Sequence, residues 1–86
     1  MQPLHYTLNM PTIKRFSSSK LCMYAGDHLP PHFHILSNDG GNALVEISTF
    51  AVLAGRVSRA VFVEVTEWAV GEKEFLQSKW NELNHV

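Results

Sequence analysis

His32-Phe33-His34-Ile35, then Ser37-Asn38-Asp39-Gly40-Gly41-Asn42, then Ala43-Leu44-Val45-Glu46-Ile47-Ser48: two alternating runs around a polar, glycine-bearing break decide the architecture. Alternation of polar and apolar residues is the period of a half-buried strand, and the break is a strong turn signal, so the stretch predicts a β-hairpin. Its register decides which side chains meet. A two-residue Asp39-Gly40 loop sets His34 beside Val45 and Phe33 beside Glu46, mixing the faces. A three-residue Asp39-Gly40-Gly41 loop pairs Asn38 with Asn42. It sets Ile35 against Val45, Phe33 against Ile47, His34 against Glu46 and His32 against Ser48. This second register keeps one face apolar and is the one expected. It leaves an outward, polar face carrying His32, His34 and Glu46.

Immediately upstream lies Asp27-His28-Leu29-Pro30-Pro31-His32-Phe33-His34, with three of the chain's five histidines around a proline pair. Imidazole titrates near neutral pH and is the commonest metal ligand, so this octet is the expected site of chemistry. Proline biases its predecessor away from the α region, so His28 does not share a helical face with His32, and a helical HExxH zinc site is excluded. Three readings stay open. In the first, His28, His32 and His34 ligate a divalent transition metal such as zinc, with Glu46 or Asp27 as a further ligand or orienting group. In the second, His28, His32, His34 and Glu46 act as metal-free acids and bases, for instance in phosphodiester cleavage. In the third, two histidines opposite a glutamate are a solvated face with a cross-strand charge pair. Among the dispersed basic residues, Lys14-Arg15 and Arg56 with Arg59 are close enough in sequence to suggest phosphate contacts.

Outward from the hairpin, Thr12 to Phe16 and Lys20 to Ala25 read as two more strands joined across Ser17-Ser18-Ser19, and Thr49 to Gly55 as a short extended piece or turn. Cys22, the single cysteine, permits no internal disulfide and alternates with Leu21 and Met23 as a structural thiol. In the last third, Val61, Val65, Trp68, Phe75, Leu76, Trp80 and Leu83 form a stripe at three-to-four spacing, which predicts helix, with Ser58 as N-cap. Gly71 disfavours a helix interior by about 1 kcal/mol, so the stripe is expected to kink or break there. Trp68 and Trp80 are expected in the core or at a protomer contact. Residues 1–9 alternate around Leu4, Tyr6 and Leu8, as a disordered extension or an added edge strand does.

These residues carry a resemblance. Met10-Pro11-Thr12-Ile13-Lys14-Arg15-Phe16, Met23-Tyr24, the histidine octet, Ala43-x-Val45-Glu46-Ile47, Gly55-Arg56 and Glu67-Trp68-Ala69 resemble a family of small prokaryotic proteins of unknown function. That family is commonly encoded beside a second small domain and is associated with toxin–antitoxin behaviour. The resemblance runs from about Met10 to about Leu83, supports helix in the last third, and implies a cognate small protein as partner.

With 86 residues and a net charge of −1, the chain is expected to form one α+β domain over residues 10–86 with a modest core, which a homo-oligomer or a partner would supplement. The charge excludes global attraction to nucleic acid, so RNA would need a local patch. No basic-then-apolar leader and no membrane-length apolar run are present, which predicts the cytoplasm and no membrane contact. The expected architecture is an antiparallel sheet of four to five strands, covered on one face by one kinked or two C-terminal helices. The expected function is a toxin–antitoxin-like, histidine-dependent ribonuclease, metal-assisted or acid–base. The alternative is a non-catalytic protein-binding, regulatory or metal-sensing module.

Overall fold

The computed structural model describes residues 11–84; the alternating segment 1–9 lies outside them. Five strands, β1 (Thr12–Arg15), β2 (Ser19–Cys22), β3 (His32–Ser37), β4 (Asn42–Glu46) and β5 (Val52–Arg56), form one antiparallel sheet in sequence order. Two helices follow, α1 (Arg59–Ala69) and α2 (Lys73–Asn84). This is the α+β arrangement the patterning predicts. The piece read as extended or turn, Thr49 to Gly55, resolves into a turn and the edge strand β5, all five of whose residues are exposed.

The β3–β4 register corrects the expected one. His32 pairs with Glu46, Phe33 with Val45, His34 with Leu44 and Ile35 with Ala43. The loop does hold three residues, but they are Asn38-Asp39-Gly40: Ser37 and Gly41 close it, with the Ser37 amide donating to the Gly41 carbonyl at 2.8 Å. Gly40, at φ 97°, takes the left-handed position, and the Asp39 carboxylate accepts from the Gly41 amide at 3.0 Å. Moving the loop by one residue slides the pairing by two. The apolar face therefore survives, while each cross-strand neighbour changes.

Two kinds of row cross the sheet. Leu21–Ile35–Ala43 and Phe33–Val45 are buried and share one core with Val61, Val65 and Ala69 of α1 and Leu76 and Trp80 of α2. The alternate rows, Arg15–Lys20–Leu36–Asn42–Arg56 and Thr12–Cys22–His34–Leu44–Ala54, contribute nothing to that core and form the opposite face. Cys22 is buried there, its sulfur 3.8 Å from Thr12 Oγ1, a structural thiol as expected.

Ser58 caps α1, its hydroxyl accepting from the Val61 amide at 3.2 Å. The helical stripe breaks at residues 70–72, around Gly71, and gives two helices rather than one. Ser17 at the β1–β2 turn donates to Glu64 of α1 at 2.9 Å, and Lys73 donates to the Ser48 carbonyl at 2.8 Å. These ties fix α1 over the sheet and start α2 at the end that carries the histidines. Trp80 is buried and Trp68 packs half-buried against Phe16, whereas Phe75, placed on the stripe by spacing, is exposed. No helix among the described residues is long and apolar enough to cross a membrane.

Candidate metal centre

Residues between β2 and β3 fold back on the strand they precede. The segment contains the cis Leu29–Pro30 bond, and its turn returns the Asp27 carboxylate to β3. Asp27 Oδ2 lies 2.9 Å from His32 Nε2 and 3.2 Å from His34 Nε2. Strand geometry explains why one oxygen meets both rings, since residues two apart point the same way. The second carboxylate oxygen accepts from the His28 amide at 2.9 Å, which locks the Asp27 rotamer.

The two histidines are not equivalent. The His34 side chain retains 16% exposure and packs at a steep angle against the Tyr24 ring, with ring centroids 4.3 Å apart. The His32 side chain is 0% exposed, with the Trp80 ring 5.1 Å away. His32 was expected to face solvent beside His34; helix α2 closes over the sheet end and removes it from water. His32 Nδ1 donates to the Pro30 carbonyl at 2.8 Å, because that oxygen can only accept. The proton is thus fixed on Nδ1, and Nε2 is left facing the carboxylate.

That geometry admits two states. Without an ion, His32 Nε2 and the Asp27 carboxylate form a buried polar contact that ties the loop to the strand. With an ion, the Nε2 lone pair is free to ligate, and an Nδ1–H on a backbone carbonyl is the usual orienting bond of a metal-bound histidine. The ligating atoms of Asp27, His32 and His34 all lie within 4.8 Å of one another. Ligands about 2.1 Å from zinc sit about 3.4 Å apart in a tetrahedron, so the set fits an ion with small adjustment. Two imidazoles and one carboxylate leave positions open for water or substrate. The Trp80 indole N–H, buried beside His32, has no acceptor among the described residues.

Electrostatics follow the packing. Burial raises the Asp27 pKa, but hydrogen bonds from His34 and the His28 amide and the charge of His32 outweigh it, holding the carboxyl below its ordinary value. Burial lowers the His34 pKa, against the opposing bond to Asp27.

The other expected site residues are elsewhere. His28 is 80% exposed and stands beside the cluster, its ring 5.6 Å from that of His32. Glu46 does not meet His34: the slide of two residues pairs its backbone with His32, and its carboxylate accepts from the Ser48 and Thr49 hydroxyls at 3.1 and 3.0 Å. Arg15 and Arg56 lie on the edge strands β1 and β5, in the row next to that of His34, and Lys14 turns to the helix side, 5.7 Å over the Trp68 ring. The broad hollow beside Ser18, Arg59, Val63 and Glu67 is remote from the histidines. Sequence reasoning named Asp27 beside Glu46 as a carboxylate ligand or orienting group, but it did not place Asp27 at the centre of the cluster, and it did not assemble the Pro30 carbonyl or Trp80. An aspartate shortly before a His-x-His strand, separated from it by prolines that force a return, was the available signal for the first two.

A family model described as Domain of unknown function (DUF4160) matches residues 20–81. The comparisons with curated proteins and with solved structures gave no match. The chain belongs to that family, and the match takes in the loop and strand that bring Asp27, His32 and His34 together.

Proposed function

We propose that Asp27, His32 and His34 hold a divalent transition metal ion such as zinc, and that the protein is a small metal-assisted ribonuclease, toxin-like, neutralised by a cognate protein encoded beside it. One observation carries the metal-binding part of this reading: His32 Nδ1 is committed to the Pro30 carbonyl, so its Nε2 converges with His34 Nε2 and the Asp27 oxygen as a ligand set. The ion would supply a hydroxide near neutral pH by lowering the pKa of a bound water. Asp27, His32 and His34 would hold the ion, the activated water would serve as nucleophile toward a phosphodiester, and exposed His28 beside them would donate the proton that the leaving alkoxide takes up. Val52 and Leu53, exposed on the edge strand β5, offer apolar surface to the neutralising partner or to a second copy.

The test is cleavage of a single-stranded RNA by chelator-treated protein before and after zinc is restored, with growth arrest on expression alone as the cellular counterpart. Restored cleavage that His28→Ala slows and His34→Gln abolishes is the expected result. Cleavage indifferent to both the metal and these substitutions removes the reading.

Burial of His32 favours a second reading. A buried His32 ring held against Asp27 under Trp80 ties the loop to the sheet without any ion, as befits a non-catalytic protein-binding module. Intact partner binding with no metal uptake and no cleavage is its signature.

A further inference from the structure

The register gathers dispersed basic residues into one line. Arg15 on β1 pairs with Lys20 on β2, Lys20 with Leu36, Leu36 with Asn42, and Asn42 with Arg56 on β5. Directly paired residues share a face, and this row alternates with the core row Leu21–Ile35–Ala43, so the three cations lie on the face the core does not use. Four strand spacings of about 4.8 Å set Arg15 about 19 Å from Arg56. The ion pairs among the described residues join Asp27 to the histidines and Lys79 to Glu82, and none involves the row. Asp39 shares a shallow hollow with Arg56, but its carboxylate accepts from the Gly41 amide.

Arg15 and Lys20 are like charges directly opposite each other on adjacent strands, an arrangement that destabilises a sheet and that a bound polyanion relieves. The next row on this face contains His34, two residues and about 7 Å along the strand. Half-buried Leu36 and Leu44 lie on the same face, and Tyr24 stands against His34. Cations in a line, with Leu36 among them and Leu44, His34 and Tyr24 along the next row, match what a single strand presents: phosphates and unstacked bases.

We infer that this sheet face binds single-stranded RNA, with Arg15, Lys20 and Arg56 contacting phosphates of one strand and the chain passing from that row towards His34. The choice of RNA as occupant rests on the ribonuclease reading; the cation row does not.

Fluorescence anisotropy of a labelled oligouridine, titrated with chelator-treated full-length protein at several salt concentrations, tests it. Three phosphate contacts predict a slope of about −2 in log affinity against log salt, from about 0.7 per contact on a single strand. The triple variant Arg15→Gln, Lys20→Gln, Arg56→Gln should bind at least about tenfold more weakly with its melting temperature and metal affinity kept, and each single variant should lower the slope by about 0.7. A salt-independent wild type, variants with parental slopes, or equal binding of poly-glutamate overturns the proposal. RNA binding with the expected slope but no cleavage upholds it and retires the ribonuclease reading. Cleavage that survives the triple variant unchanged does the reverse.

Discussion

Asp27→Asn keeps the shape of the side chain and removes its charge. In the metal-free protein Asp27 Oδ2 receives both imidazoles, at 2.9 and 3.2 Å, and its carboxylate is 17% exposed. A hydrogen bond to a charged group contributes about 1.5–3 kcal/mol, and the Asp27 carboxylate receives two. The amide oxygen still accepts from one ring, and residual solvent screens the rest, so the expected loss is about 2–3 kcal/mol. Against about 4–13 kcal/mol for a domain of this size, that is a large fraction, worth about 10–20 °C in melting temperature. Urea denaturation in the presence of chelator measures it. The sign with pH is also fixed: the Asp27 pKa is lowered in the fold, so its contribution is complete above the unfolded value of 3.8 and disappears as pH falls through the folded value. The difference between parent and variant must therefore be widest near neutral pH and close in strong acid. A difference under about 0.5 kcal/mol near neutral pH, within the range of ordinary surface changes, would refute the idea that Asp27 joins loop to sheet.

Trp80→Ala empties a site that is 1% exposed, and about 3–5 kcal/mol of lost stability is expected by urea melts, with His32 newly open to solvent; a loss under about 1 kcal/mol would show that α2 does not seal the cluster. Glu46→Ala should cost about 1 kcal/mol through the Ser48 and Thr49 turn while zinc affinity stays within twofold, and a large loss of affinity would return Glu46 to the site. Because burial lowers the His34 pKa, the unfolded chain takes up its proton first, so metal-free stability should decline as pH falls from 6.5 through the folded value. His34→Gln should flatten that limb, and an unchanged limb would contradict the assignment.

How much of this was legible in sequence follows from what each signal measures. Alternation in Leu21–Met23, Phe33–Ile35 and Ala43–Ile47 reports a shared face, and the core confirms it because burial selects residue type at each second position. Register needs more, since sliding by two residues preserves alternation. Gly40 and Gly41 are both permitted at the left-handed position, and the chain uses Gly40, with Asp39 anchoring the amide that follows. Glu46 was misplaced for that reason alone. His32 was read as exposed because strand period assigns a face, while the burial of that face near a sheet end depends on Trp80, 48 residues away in sequence. The break at Gly71 and the Ser58 cap were legible because both act within a few residues of themselves.

The most direct measurement is calorimetric titration of chelator-treated protein with zinc near neutral pH, in two buffers of different ionisation enthalpy. With Nδ1 of His32 held on the Pro30 carbonyl, Nε2 is the nitrogen left to ligate beside Asp27. One ion should bind per chain, with an affinity that weakens as pH drops because protons compete for the imidazole lone pairs, lost in Asp27→Asn and His34→Gln and kept in Glu46→Ala. No uptake of zinc, or uptake that survives Asp27→Asn and depends on Glu46, would contradict an Asp27–His32–His34 metal centre.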